Sequence, residues 1–302
     1  MKKFLKTVFL LLLIFLLYTY RNPLMRFVMK NMIYRDRLAL KKNNSFTRNR
    51  DWNYVQHTSE FVPNNKQDIL NLIYTALDGG WNEVTFYCEK KYPTCLDDVK
   101  TITENKSTLS NMNNFVSTFN TYNRIYLDIN SLGRVNIEFE YLYPKEQQLL
   151  ISQKVDEIYE ELIDDGMNNY EKIKVIHNYI VNHTIYDQEQ ASNNTKNIPL
   201  SNTAYGPLFL GKAMCGGYTD AMALFLDKMG ISNYKIASEK HIWNFVYLDG
   251  EWKHLDLTWD DPVVSTGENI LLETFFLIST DELEKQNTNE HHFDKTIYSE
   301  AK

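Results

Sequence analysis

Apolar positions along the chain follow three different rhythms. Between Phe4 and Tyr20 the segment FLKTVFLLLLIFLLYTY is interrupted only by Lys6 and carries no charge from Val8 onward, the pattern of a membrane-inserting helix. Residues 21–50 then mix basic and apolar side chains and end in the polar run Lys41 to Arg50, as in a stalk or an interfacial helix. Helical spacing returns in KQDILNLIYTALDG, where Ile69, Leu72, Ile73, Ala76 and Leu77 share one face and Gly79-Gly80 stops it. Alternation predicts a strand over residues 82–88 and paired strands over 124–129 and 135–143 around Asn130-Ser131-Leu132-Gly133, with two short helical stretches over 96–119. Helices follow over 146–162, with apolar Leu149, Leu150, Val155, Ile158 and Tyr159, and over NNYEKIKVIHNYIVNHTIYD, where Ile173, Ile176, Ile180 and Val181 recur. The polar stretch Gln188 to Thr203 is a surface loop long enough to flank a cleft. Last come a helix with a buried stripe of Tyr218, Ala221, Met222, Phe225 and Met229, closed by Gly230, and the alternating pair HIWNFVYLDGEWKHLDLTWDD.

This order divides the chain into an N-terminal anchor and basic juxtamembrane segment over 1–50, a small α+β unit over 51–145 and a second α+β unit over 146–302. The 302 residues suffice for sizeable cores, and low Gly and Pro counts exclude collagenous or low-complexity architecture. The first 50 residues hold twelve Lys or Arg against one Asp, a balance of +11, which leaves −18 on the other 252 to give the chain's net −7. A body that acidic repels phosphate backbones, so no nucleic-acid partner is expected, whereas the basic segment lies where anionic headgroups would meet it. The bulky sequence Tyr18-Thr19-Tyr20-Arg21 offers no small-residue cleavage site, so the helix is expected to stay as an anchor. Lys2, Lys3 and Lys6 before it against Arg21, Arg26, Lys30, Arg35 and Arg37 after it point to a cytoplasmic body. A single hydrophobic segment ahead of a soluble domain acts instead as an export signal, and an external body is expected on that ground.

Three cysteines bear on chemistry. Cys88 and Cys95, seven apart around a Lys-Lys-Tyr-Pro turn, either pair outside the cell or stay free, and Cys215 is left over. Cys215 directly precedes a predicted helix, where the positive end of the macrodipole favours a thiolate and Gly216-Gly217 allow close approach of other backbone. Asp249-Gly250 is a strong two-residue hairpin signal. With Leu248 opposite Glu251, Phe245 faces His254, Trp243 faces Asp256 and His241 faces Thr258, which places His241, Trp243, Asp256 and Thr258 on one face. Asp256 is then the diagonal neighbour of His241, roughly 7 Å away between backbones and within reach of a hydrogen bond. His254 lies on the order of 13 Å from His241 at strand rise and is the poorer partner. A thiol needs a base, and the base needs a group that fixes its tautomer, so Cys215, His241 and Asp256 form a candidate nucleophile, base and orienting acid. His177 and His183 are expected to be structural, and His291 and His292 solvated surface residues. No Cys/His cluster has the spacing of a metal site, and neither metal nor cofactor is expected.

A Cys opening a Gly-rich helix (Cys215-Gly216-Gly217-Tyr218), then His241-Ile242-Trp243-Asn244, then Asp256-Leu257-Thr258-Trp259-Asp260 resembles the core of the transglutaminase-like superfamily of papain-like thiol enzymes. The helix around Lys172 to Asp187 and the run Ala204-Tyr205-Gly206 extend the resemblance over roughly residues 168–262. It implies an α+β fold in which the Cys helix packs on an antiparallel sheet carrying His and Asp, and a covalent thioester resolved by water or by an amine. Water gives a peptidase or amidase acting on protein or cell-wall peptide, and an amine gives a crosslinking transglutaminase. The backbone N–H of Cys215 would serve an oxyanion hole, with Tyr205, Trp243 and Asn244 as supporting residues of the site. The competing expectation is an inactive fold of this type serving as a binding or scaffolding module at the membrane. The sequence does not indicate an oligomeric state.

Overall fold

The computed structural model describes residues 2–28, 31, 40–193, 197–263, 270–286 and 288–301. Most of the expected stalk, over 29–30 and 32–39, therefore lies outside the described residues. Helix α1 (Lys2–Val28) takes up the apolar segment and continues past it, with Pro23 inside. Its Lys6–Val28 part has 23 residues, a mean hydropathy of 1.7 and no burial against protein. At 1.5 Å per residue that is about 35 Å, enough for a bilayer core of about 30 Å. Among the described residues this is the one helix long and apolar enough to cross a membrane, which suits an anchor or a signal sequence.

The segment expected as the first unit holds α2 (Lys66–Asp78), β1 (Glu83–Tyr87), α3 (Cys95–Glu104), α4 (Lys106–Asn113), β2 (Tyr122–Ile129) and β3 (Arg134–Tyr141). Asn65 starts α2 by accepting a hydrogen bond from the backbone of Asp68, and Gly79 and Gly80 end it. The three strands form an antiparallel sheet in the order β1-β3-β2, with Ile129 opposite Val135 across the expected turn. Of the two states open to Cys88 and Cys95, the structure has the disulfide, with their Cα atoms 5.5 Å apart.

The second part holds α5 (Lys145–Leu162), α6 (Asn169–Asn182), β4 (Ile185–Tyr186), α7 (Gln188–Ser192), β5 (Lys212–Ala213), α8 (Cys215–Lys228), β6 (Asn233–Ala237), β7 (Ile242–Leu248), β8 (Glu251–Leu255) and α9 (Thr280–Lys285). A reciprocal capping box between Asn168 and Glu171 starts α6. Strands β6, β7 and β8 make an antiparallel sheet in that order, and the short β4 and β5 pair in parallel.

The β6–β8 sheet is buried on both faces, and period two along β7 sorts its side chains between them. Trp243 and Phe245, with Tyr234 and Ile236 of β6, join one apolar cluster with Trp52, Phe115 and Ile137 of the first unit and Tyr298 near the C-terminus. Val246, Leu248 and Leu255 join a second cluster with Ile151 of α5, Ile176 of α6 and Phe225 of α8. The two units thus share a core across this sheet. A buried ion pair pins it further: Lys235 of β6 lies 2.5 Å from Asp220 of α8, whose other oxygen accepts from the Tyr143 hydroxyl.

The hairpin register is the expected one from Leu248↔Glu251 through Phe245↔His254 to Asn244↔Leu255. Asp249 and Gly250 have φ of 51° and 87°, the left-handed pair that a two-residue type I′ turn requires. Beyond Leu255 the expectation is corrected. Trp243–Asp256 and His241–Thr258 are not ladder pairs, because Asp256 turns its own Oδ1 onto the backbone N–H groups of Thr258 (3.0 Å) and Trp259 (3.4 Å). That side-chain turn ends the strand, and the Asp256 N–H donates to the carbonyl of Phe275 instead.

Candidate active site

Three segments converge on the first turn of α8. Cys215 is its first residue, and Asn202 and the backbone of Ser201 lie against that turn: the Gly216 N–H donates to Asn202 Oδ1 (3.0 Å) and the Met214 N–H to the Ser201 carbonyl (2.7 Å). The approach is so close that a Cβ on Gly217 would sit 2.3 Å from the Ser201 carbonyl oxygen, and one on Gly216 would sit 2.5 Å from Asn202 Oδ1. This is the reason two glycines follow the cysteine. Because Met214, at the N-cap, gives no side-chain cap, Asn202 acts as the cap from outside.

The Thr219 hydroxyl, one turn into α8, lies 2.7 Å from the Cys215 carbonyl oxygen and 2.9 Å from that of Ile242. Asn244 Nδ2 donates to the Thr219 carbonyl at 3.0 Å. These contacts seam the cysteine's turn to the strand that begins beside His241. The buried His241 bonds Asp256 Oδ2 through Nε2 at 2.5 Å, and Cys215 is near enough to act electrostatically on the same imidazole. Burial pulls the His241 imidazole down, but the charge and hydrogen bond of Asp256 outweigh it, and with Cys215 they push it up to about 10. Burial would raise the Asp256 carboxyl, yet the charge and hydrogen bond of His241, joined by those of His291, hold it below the usual carboxylate range. Cys215 is half-buried and is the free thiol among the described residues.

The remaining candidates fall into place around these groups. Trp243 stacks on His241 with ring centroids 5.5 Å apart and donates its indole N–H to His254 Nδ1 at 2.9 Å. Asn244 is buried and ties strand to helix, as above. Tyr205 is half-buried and stacks on Phe209, so the structure joins it to the 206–210 turn, while Asn202 meets the cysteine's turn. His254 is buried between Trp243 and Thr280; burial, and then the charge of His291, push it down to about 3, so it is a neutral core histidine. His177 is fully buried against Asp260 Oδ2 at 3.1 Å, and His183 is exposed and bonded to the Tyr179 carbonyl.

One expectation fails. His292 is exposed, but His291 is buried, and its Nε2 lies 2.8 Å from the same Asp256 Oδ2 that His241 uses. It reaches the site because the C-terminal segment folds back: Phe293 bridges to Ser238, and the short 3-10 turn Asn289–His291 lays the ring on Phe275. Its sequence setting, Asn-Glu-His-His, has no apolar periodicity that would announce burial. His241, Asp256 and His291 form the one group of three potential metal ligands among the described residues, their ligand atoms within 4.8 Å of one another.

Residues 156–257 match the family model of the transglutaminase-like superfamily. The mouse Kyphoscoliosis peptidase is 24% identical over 147 residues, covering 42% of this chain and 21% of that protein. The chain thus spans about a fifth of the curated relative it matches. Among solved structures, a TGase is similar with a TM-score of 0.35 and 18% identity over 56% of this chain and 50% of its own. A Cytophaga hutchinsonii protein provisionally assigned to the cysteine proteases is similar with a TM-score of 0.29 and 13% identity over 49% and 65%. The matched core, residues 156–257, holds Cys215 and His241, with Asp256 at its end, and is similar to the transglutaminase-like superfamily.

Proposed function

We propose that the protein is a thiol acyl-transfer enzyme at the membrane, with Cys215 as nucleophile, His241 as base and acid, and Asp256 orienting and charging the imidazole. The observation that carries this reading is one imidazole bonded to a buried carboxylate and influenced by a thiol that opens a helix. The Cys215 sulfur adds as thiolate to the carbonyl carbon of an amide, and the carbonyl π pair moves to oxygen. The oxyanion faces the Cys215 N–H, which as the first donor of a helix has no helical acceptor. The His241 Nδ1 proton passes to the leaving nitrogen, the C–N bond breaks and a thioester remains. His241 then takes a proton from the acceptor as it attacks the thioester, the C–S bond breaks and the acyl group leaves on that acceptor.

Water as acceptor makes the enzyme a peptidase or amidase, and a primary amine makes it a transglutaminase. Protein or peptide amides are the substrate class, and the peptidase name of the mouse relative favours hydrolysis. The Cys88–Cys95 disulfide suits an oxidising compartment, so we place the body outside the cell, held by α1, where cell-wall peptide is within reach. Mass spectrometry of amide-containing peptides incubated with the purified protein, with and without a primary amine, tests the reading. Cleaved or amine-linked products that vanish in Cys215→Ala support it. The same products from Cys215→Ala would reject it and leave a scaffold of this fold.

A further inference from the structure

The candidate site contains a second histidine that the proposed chemistry does not use. Asp256 is a buried carboxylate with four donors: Oδ1 accepts from the backbones of Thr258 and Trp259, and Oδ2 accepts from His241 Nε2 at 2.5 Å and His291 Nε2 at 2.8 Å. A carboxylate offers about four acceptor sites, so this one is saturated. For both Nε2 atoms to donate to one ionised oxygen, each must carry its hydrogen, which leaves each Nδ1 for a different partner. For His291 that partner is the Thr288 hydroxyl. The His291 ring is fixed besides by stacking on Phe275, 4.8 Å between centroids, and by edge contacts to Trp243 at 4.9 Å and His241 at 5.3 Å.

A metal ion is the other chemistry such a trio suggests, and the distances decide against it. Tetrahedral zinc with bonds of about 2.0–2.1 Å separates its ligand atoms by about 3.3 Å. The observed 2.5 and 2.8 Å separations are those of hydrogen bonds and are too short for atoms sharing a zinc ion.

Resting on the thiol-enzyme reading above, we infer that His291 is a positioning residue of the site: delivered by the C-terminal segment, it locks the Asp256 carboxylate so that His241 stays aimed at Cys215. The ionisable groups around Asp256 are His241 beside β7, His254 on β8, Asp260 at the end of the turn and His291 itself. Of these, His241 and His291 touch its oxygens. Without His291 the carboxylate keeps its backbone donors but can swing, and the thiol's partner ring loosens with it.

The test is the pH profile of Cys215 alkylation by iodoacetamide on the full chain in detergent, specific because Cys215 is the free thiol among the described residues. His291→Met keeps apolar volume but removes the donor, and His291→Gln keeps a donor. The expectation is that His291→Met lowers the rate at pH 6 about tenfold, with the acid limb about one unit higher, while His291→Gln stays within about threefold of the native protein. A native rate in His291→Met, a loss that Gln does not rescue, or stoichiometric zinc that His291→Met removes would overturn it. Should His291→Met fail to fold, Thr288→Val, which takes the hydroxyl from Nδ1, carries the comparison with about a threefold loss expected and none overturning it. His241→Ala separates the two levels of inference. If it leaves alkylation unchanged, the thiol-enzyme reading falls; if it slows alkylation while the His291 and Thr288 variants do not, the role of His291 alone falls.

Discussion

Two buried histidine–aspartate pairs stand at the two ends of one turn, Asp256 to Asp260, and they differ in almost everything but composition. Asp256 takes four donors and is held ionised below the usual carboxylate range. Asp260 takes His177 Nε2 at 3.1 Å and the Phe275 N–H at 2.9 Å, and burial, the dominant influence, raises its carboxyl in spite of them. The imidazole of the first pair feels the charge of Cys215; that of the second has Asn178 on its far nitrogen, 2.9 Å away, and fastens α6 to the segment through Phe275. A His–Asp contact is therefore not itself a site. The number of donors on the carboxylate and what lies beyond the imidazole separate a proton-transfer pair from a structural pin.

This contrast can be broken by substitution. His241→Ala and Asp256→Asn are expected to slow thioester formation at Cys215 by about 10² to 10⁴-fold, measured by single-turnover acylation. If Asp260→Asn does the same, the two pairs are not distinct in kind. Next, Lys235→Met leaves Asp220 as a buried unpaired charge and should cost about 3–5 kcal/mol in a urea titration. Asp260→Asn should cost about 1–3 kcal/mol in the same titration, with the acylation rate unchanged within about threefold.

A pH dependence sharpens the pairing of His241. Its imidazole stands at about 10 in the fold against an ordinary 6.5, so the stability it contributes is complete below about 6.5 and is lost as pH rises toward 10. The stability difference between the native protein and His241→Ala should shrink over that window. Asp256, held low, contributes stability present above about 4 and lost as pH falls below it, so its Asn variant should differ least from the native protein in acid.

Much of this was legible in the sequence, because the decisive features are local. Asp249-Gly250 has one favoured geometry, and that geometry set the register that brought His241 near Asp256. The cysteine at the start of a helix followed by two glycines was equally plain. The end of β8 was less so: period two extends a strand as far as alternation lasts, but the Asp256 side chain competed for its own backbone and stopped it at Leu255. His291 was out of reach because its contact with Asp256 spans 35 residues and rests on the packing of a polar C-terminal segment. Asn202, 14 residues before Gly216 in a polar loop, gives no pattern that marks it as the outside cap of α8.

The most direct test of the account is intact-protein mass spectrometry after brief exposure to an activated ester. The account predicts one acyl group on the native protein, mapped to Cys215, released by hydroxylamine and slowed at least 100-fold in formation by His241→Ala. Acylation at equal rates in the native protein and His241→Ala, or none at Cys215, would contradict it.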